Sequence, residues 1–122
     1  MPFSEYLSQA LLDHTFGAGA YTVPTIYVAL LTASTPTECT GTDYVRVAAA
    51  AWAGAAGVID NDATIEFPEA GASDWGTITH AAIYDEITAG NLLATVSLDT
   101  SKEITAGEVA RFNAGELNIT LS

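Results

Sequence analysis

The chain has 122 residues, 15 acidic side chains against three basic ones, and one cysteine. That length predicts one domain around one core. A net charge of -12 excludes a basic stripe for nucleic-acid phosphates and opposes anionic membrane surfaces. Hydrophobic residues make up 49% and charged residues 15%, so the surface must rely on Thr, Ser, Gly and Ala. Such a surface is adhesive: it hides faces against neighbours or stays dissolved through its net charge.

The opening MPFSEYLSQALLDH lacks a positive n-region and carries Glu5 and Asp13, so it does not read as a signal peptide. It reads as a helix of about three turns. Leu7, Leu11 and Leu12 recur at helical spacing between Phe3 and Phe16, Ser4 is placed to cap, and Gly17 and Gly19 supply the stop. After AGAYTVP the period changes. TIYVALLTA is a continuous apolar run, as in a strand covered on both faces. STPTECTGTD is a loop by composition, with Cys39 expected on the surface and without a partner for a disulfide or a metal.

YVRVAAAAW begins as a strand and shifts into small residues, predicting a bulge or bend. DNDATIEFPEAG alternates, with Ala63, Ile65 and Phe67 on one side and Thr64 and Glu66 on the other. In WGTITHAAIYD, Ile78, His80, Ala82 and Tyr84 oppose Thr77, Thr79, Ala81 and Ile83, which suits a central strand. NLLATVSLD follows the turn EITAG, a short strand spans Val109 to Phe112, and a terminal strand turns Leu117, Ile119 and Leu121 inward. The tetrapeptide ITAG at Ile87 and at Ile104 reads as two similar turns rather than a repeat unit. Short strands at spacings of about ten residues predict a mainly β fold, an antiparallel β-sandwich over residues 21–122 preceded by a helix and arm over residues 1–20. The longest uncharged stretches are too short or too rich in Gly, Pro and Thr for a transmembrane helix.

Chemistry is sparse. His14 and His80 are the two histidines, and no nucleophile elbow, zinc motif, phosphate loop or dinucleotide fingerprint accompanies them. The chain is therefore expected not to be an enzyme, with no catalytic residue and no cofactor. Asp60, Asp62 and Glu66 resemble the start of a calcium loop, but Ile65 stands where the turn glycine belongs, so a solvated turn is expected. Asn118-Ile119-Thr120 matches a glycosylation acceptor without a secretory context. Trp52 and Trp75 are read as core residues, with sugar stacking as the alternative. Arg46 and Arg111 lie in strands, where scarce arginines find carboxylates, either in their own chain or across a subunit boundary.

As a whole the sequence resembles the short virion proteins of tailed bacteriophages that are commonly labelled tail-fibre proteins. The resemblance runs through FSEYLSQALLDHTFG and AYTVPTIYVALLTA, then YVRV before Trp52, IEFPEA, WGTITHAAIYD, and GNLLATVSLDTSKEITAGEVARFNAGELNITL. It implies a structural role in the virion. Fibre shafts carry repeats, collagen-like glycines or long heptads, and this chain carries none. A compact knob of this kind suits a capsid decoration, or cement, protein on the outer capsid surface. Its partners would be the major capsid protein and copies of itself, in threefold symmetry. A small tail-fibre or tail-tip subunit beside tail proteins is the alternative reading, with a carbohydrate-binding module below both. The interface candidates are Phe3, Leu7, Leu11, Phe16, Arg46 and Arg111. The helix and arm are expected to dock on a neighbour rather than on the chain's own core.

Overall fold

A computed structural model describes residues 3–41 and 43–120. The element order is one helix, α1 (Glu5–Thr15), followed by ten strands. They are β1 (Tyr27–Ala33), β2 (Thr37–Glu38), β3 (Val47–Ala48), β4 (Trp52–Ala55), β5 (Val58–Asn61), β6 (Ile65–Glu69), β7 (Gly76–Tyr84), β8 (Leu92–Ile104), β9 (Val109–Phe112) and β10 (Asn118–Thr120). All pairings are antiparallel. The fold is mainly β, as the alternation predicted.

The largest sheet runs β2-β1-β7-β8, with β3 also paired to β1. β1 and β7 are interior strands, which explains the unbroken burial of Val28 to Leu31. Two smaller sheets, β10-β5-β4 and β6-β9, complete the body. One cluster joins the three: Val28, Leu30, Ile83 and Leu93 of the large sheet meet Phe67 and Phe112 of the two-stranded sheet and Ile119 of the three-stranded one. The opposite face of the large sheet buries Ala29, Leu31 and Ala82.

Two irregularities reshape the sheet. Ile78 pairs with Lys102 while His80 pairs with Ser97, so β8 bulges over residues 98–101. The bulge moves Ile78 into the main core with Ala81 and Ile83, away from the face shared with His80 and Ala82 that strict alternation assigned it. Ala63, expected inward, is exposed because β6 begins only at Ile65.

Helix α1 starts as predicted. The Ser4 hydroxyl accepts the Leu7 N–H at 3.1 Å, and Gly17 turns left-handed at φ 79° after the last turn. Its first turn docks on the chain's own body: the Ser4 N–H donates to the Leu93 carbonyl at 2.7 Å, Phe3 bridges Ala94, and Phe3 and Leu7 pack against the core. The expectation of a helix that turns away from its own core is corrected to that extent. The far end differs, since Leu12 is 54% and Phe16 82% exposed. A terminal inward Leu121 lies outside the described residues, whereas Leu117 and Ile119 are buried as expected.

Candidate functional site

The densest polar arrangement lies along the β2–β3 side of the large sheet. After β1 the chain returns antiparallel, but β2 and β3 are two residues each, and the loop between them leaves β1 partly unladdered. Side chains complete what the ladder omits. The Cys39 N–H donates to the Leu30 carbonyl at 2.9 Å, and the Leu30 N–H donates to the Tyr44 hydroxyl at 3.0 Å. That hydroxyl donates in turn to Glu38 Oε2 at 2.7 Å. The Tyr44 ring stacks on Phe67 and meets Trp75 edge-on at 5.4 Å. Gly41 is needed here for a different reason: a Cβ on it would lie 2.0 Å from Trp75 Cδ1.

Arg46 closes the arrangement. Its Nε and Nη2 fork onto the two oxygens of Glu38, both at 2.9 Å, and its Nη1 donates to the carbonyls of Glu86 (3.0 Å) and Ala89 (2.8 Å). The guanidinium carbon sits 3.6 Å from the centre of the Tyr84 ring. One side chain thus clamps the loop 85–91 to the sheet edge through a planar fork, a stacking contact and two carbonyls, geometry that a lysine cannot reproduce. Inside the loop, Asp85 accepts from the Asn91 N–H and amide, which shapes the turn ending in left-handed Ala89 and Gly90.

The electrostatics follow from this packing. Burial pushes the Glu38 carboxyl upward, but hydrogen bonds from Arg46 and Tyr44 and the charge of Arg46 outweigh it, so Glu38 lies below the usual carboxylate range. Burial and the hydrogen bond to Glu38 push Tyr44 far above the ordinary phenol. Burial also raises Cys39. Cys39 is buried rather than on the surface, because the loop folds inward over Trp75.

The remaining sequence candidates separate. Arg46 is only 8% exposed and pairs with Glu38 of its own chain. Arg111 lies exposed and pairs with Glu66 across β6 and β9. Lys102 reaches Glu116 at 3.7 Å, so all three basic side chains meet a carboxylate of their own chain. Leu11 lines a cleft against the β4–β5 hairpin, and Phe16 stands free of it in solvent. Trp75 is a core residue, whereas Trp52 is half-buried and donates to the Ala49 carbonyl.

His80 Nδ1 is bonded to Thr79, and His14 Nδ1 accepts the Tyr21 N–H at 3.1 Å. Among the described residues no cluster of three or more His, Cys, Asp or Glu side chains could hold a metal. The residue between Asp60 and Asp62 has a different use. Asn61 is fully buried, donates to the carbonyls of Ala63 and Asn113, and accepts the Leu117 N–H at 2.9 Å. It ties the end of β5 to the β9–β10 turn, a role hidden in the sequence because a polar DND run resembles a solvated turn. A groove of about 400 Å³ opens beside this turn, between the β8 bulge and Glu116.

The arrangement thus ties the 85–91 loop and the β2–β3 loop to the sheet through hydrogen bonds and an ion pair within the chain. A search of curated proteins finds no match. A family comparison does: residues 2–120 match the family of the podophage GP4 fiber I protein gp80, and the chain belongs to that family of phage fibre structural proteins.

Proposed function

We propose that the protein is a non-enzymatic fibre component set in or beside the phage tail, with tail proteins and copies of itself as partners, rather than a cement on the outer capsid surface. The observation that carries this reading is the family match across nearly the whole chain, to a protein described as a fibre protein. It favours the tail-fibre alternative over the capsid decoration that the compact, repeat-free sequence suggested. The non-enzymatic part is supported by how the chain uses its polar groups: Arg46, Tyr44, His14 and His80 are each engaged in hydrogen bonds that shape loops and edges.

The decisive experiment is the copy number and position of the protein on purified virions, by quantitative mass spectrometry and antibody labelling in electron micrographs. A few to a few dozen copies with label at the tail is the expected result. Hundreds of copies with label over the shell would restore the capsid reading.

A further inference from the structure

We propose that the groove between the β8 bulge and the β9–β10 turn is a binding site for a short neutral saccharide. This assignment is independent of where on the particle the protein sits. It starts from the bulge: residues 98–101 have no register partner on β7, because Ile78 pairs with Lys102 and His80 with Ser97. Released from the ladder, this segment forms one wall of the groove, with Asp99 and Thr100 exposed. The opposite wall, Gly115 to Asn118, leads into β10 at the end of another sheet.

That second wall is held in place by the chain itself. Fully buried Asn61 accepts the Leu117 N–H and donates to the Asn113 carbonyl, and its own carbonyl accepts the Gly115 N–H at 2.7 Å. Glu116 Oε1 accepts the Asn113 N–H at 3.0 Å. A wall ordered in advance spares a ligand the cost of ordering it.

The lining selects the ligand. Lys102 Nζ lies 5.7 Å from the centre of the Phe112 ring and 3.7 Å from Glu116 Oε2. That separation from Glu116 exceeds the roughly 3.2 Å of a direct hydrogen bond. A hydroxyl set between the two accepts from the ammonium and donates to the carboxylate. A ligand ammonium there has no lone pair for Lys102, and a ligand carboxylate or phosphate has no proton for Glu116. Thr100 and Asn118 add further polar partners, and partly buried Val96 and Leu98 offer an apolar patch for the C–H face of a ring. Hydroxyls around a ring with an apolar face are the pattern of a neutral sugar. The volume of about 400 Å³ lies low in the range of about 300–1,000 Å³ for small-ligand sites, room for one or two rings. Neither tryptophan lines this groove.

The test is an amide NMR titration of the full chain with glucose, galactose, mannose and N-acetylglucosamine, followed by glucuronate and glucosamine. Each sugar is taken to about 50 mM, since a small site without an exposed aromatic face holds sugars on the order of 1 mM. The expected result is saturable shifts from at least one neutral sugar, confined to residues 96–102 and 112–118, with both charged sugars weaker than the best neutral one. Asp99→Ala and Asn118→Ala, at exposed positions, should each weaken binding about tenfold. Lys102→Met keeps the aliphatic stem over Phe112 and should abolish binding, while Val109→Lys, on another sheet, leaves it unchanged. If Lys102→Met unfolds by circular dichroism, the two exposed substitutions decide. No saturable shift from any sugar, shifts scattered over the surface, tighter binding of a charged sugar, or binding that these substitutions leave intact would each overturn the proposal. So would a response of the same amides to an uncharged threonine–valine hexapeptide and not to sugars, which would make the gap a strand-addition site.

Discussion

Two sheet edges in this molecule meet the same problem in opposite ways. At the β2–β3 side of the large sheet, short return strands leave backbone groups of β1 to be satisfied, and Cys39, Tyr44, Glu38 and Arg46 satisfy them. At β4 the outward backbone groups of Trp52 and Gly54 are left to solvent or to a neighbour. The first edge is closed by chemistry within the chain and supports stability. The second is open. The same fold thus closes one edge with side chains and leaves another with its backbone groups outward.

Breaking the closed edge should give the largest effects. Arg46→Ala strands Glu38 and releases the carbonyls of Glu86 and Ala89, and losing one partner of a buried pair costs about 3–5 kcal/mol, with partly exposed Glu38 placing this case near the lower figure. Urea unfolding checks the loss, and faster amide exchange in residues 85–91 checks its location. Gly41→Ala should follow at about 1–3 kcal/mol, because its Cβ would collide with a buried indole that has nowhere to move. Tyr44→Phe removes one hydroxyl and leaves the Leu30 N–H without its acceptor, at about 1–3 kcal/mol by the same measurement.

The contrast between the edges was only half legible in the sequence. Periodicity locates β9 and the final strand, each of which keeps one face to the core, helical spacing locates α1, and apolar runs locate β1 and β7 without giving the register of β7. A strand-borne arginine announced a carboxylate partner, but its identity depends on a loop that folds back, and no spacing encodes that Glu38 and the 85–91 loop converge on Arg46. The two ITAG turns make the same point. Ile87 is exposed in a loop whose carbonyls feed Arg46, whereas Ile104 is buried in the core. Asn61 was hidden because burial reverses the meaning of a polar residue. The β8 bulge is invisible in the sequence because its register is set by partners, so strict alternation puts Ile78 on the wrong face.

Acid should sharpen the comparison. Glu38 has a folded pKa below its ordinary value of 4.5, so its contribution is fully present above that value and is lost as pH falls from there through the lower folded value. Unfolding free energies measured across this window should fall more steeply for the wild type than for Glu38→Gln, which starts lower at neutral pH and titrates nothing there. Equal slopes would remove Glu38 from the account of the closed edge.

The smallest effect belongs to the open side, where the helix contrasts with itself. Phe3 and Leu7 pack against the core at one end, and Phe16 stands in solvent at the other. Full burial of such a side chain is worth about 1.5–3 kcal/mol, so the partly buried Leu7 should lose about 1 kcal/mol on replacement by Ala. Phe16→Ser removes a far larger ring, yet it removes little buried area, and surface changes of this kind stay within about 0.5 kcal/mol. The melting temperature of Phe16→Ser should therefore match the wild type in dilute solution, while Leu7→Ala melts measurably lower. A large drop for Phe16→Ser would mean that the ring is covered by a neighbour in solution, and the loss should then grow with protein concentration, since an interface is populated by mass action and a core is not.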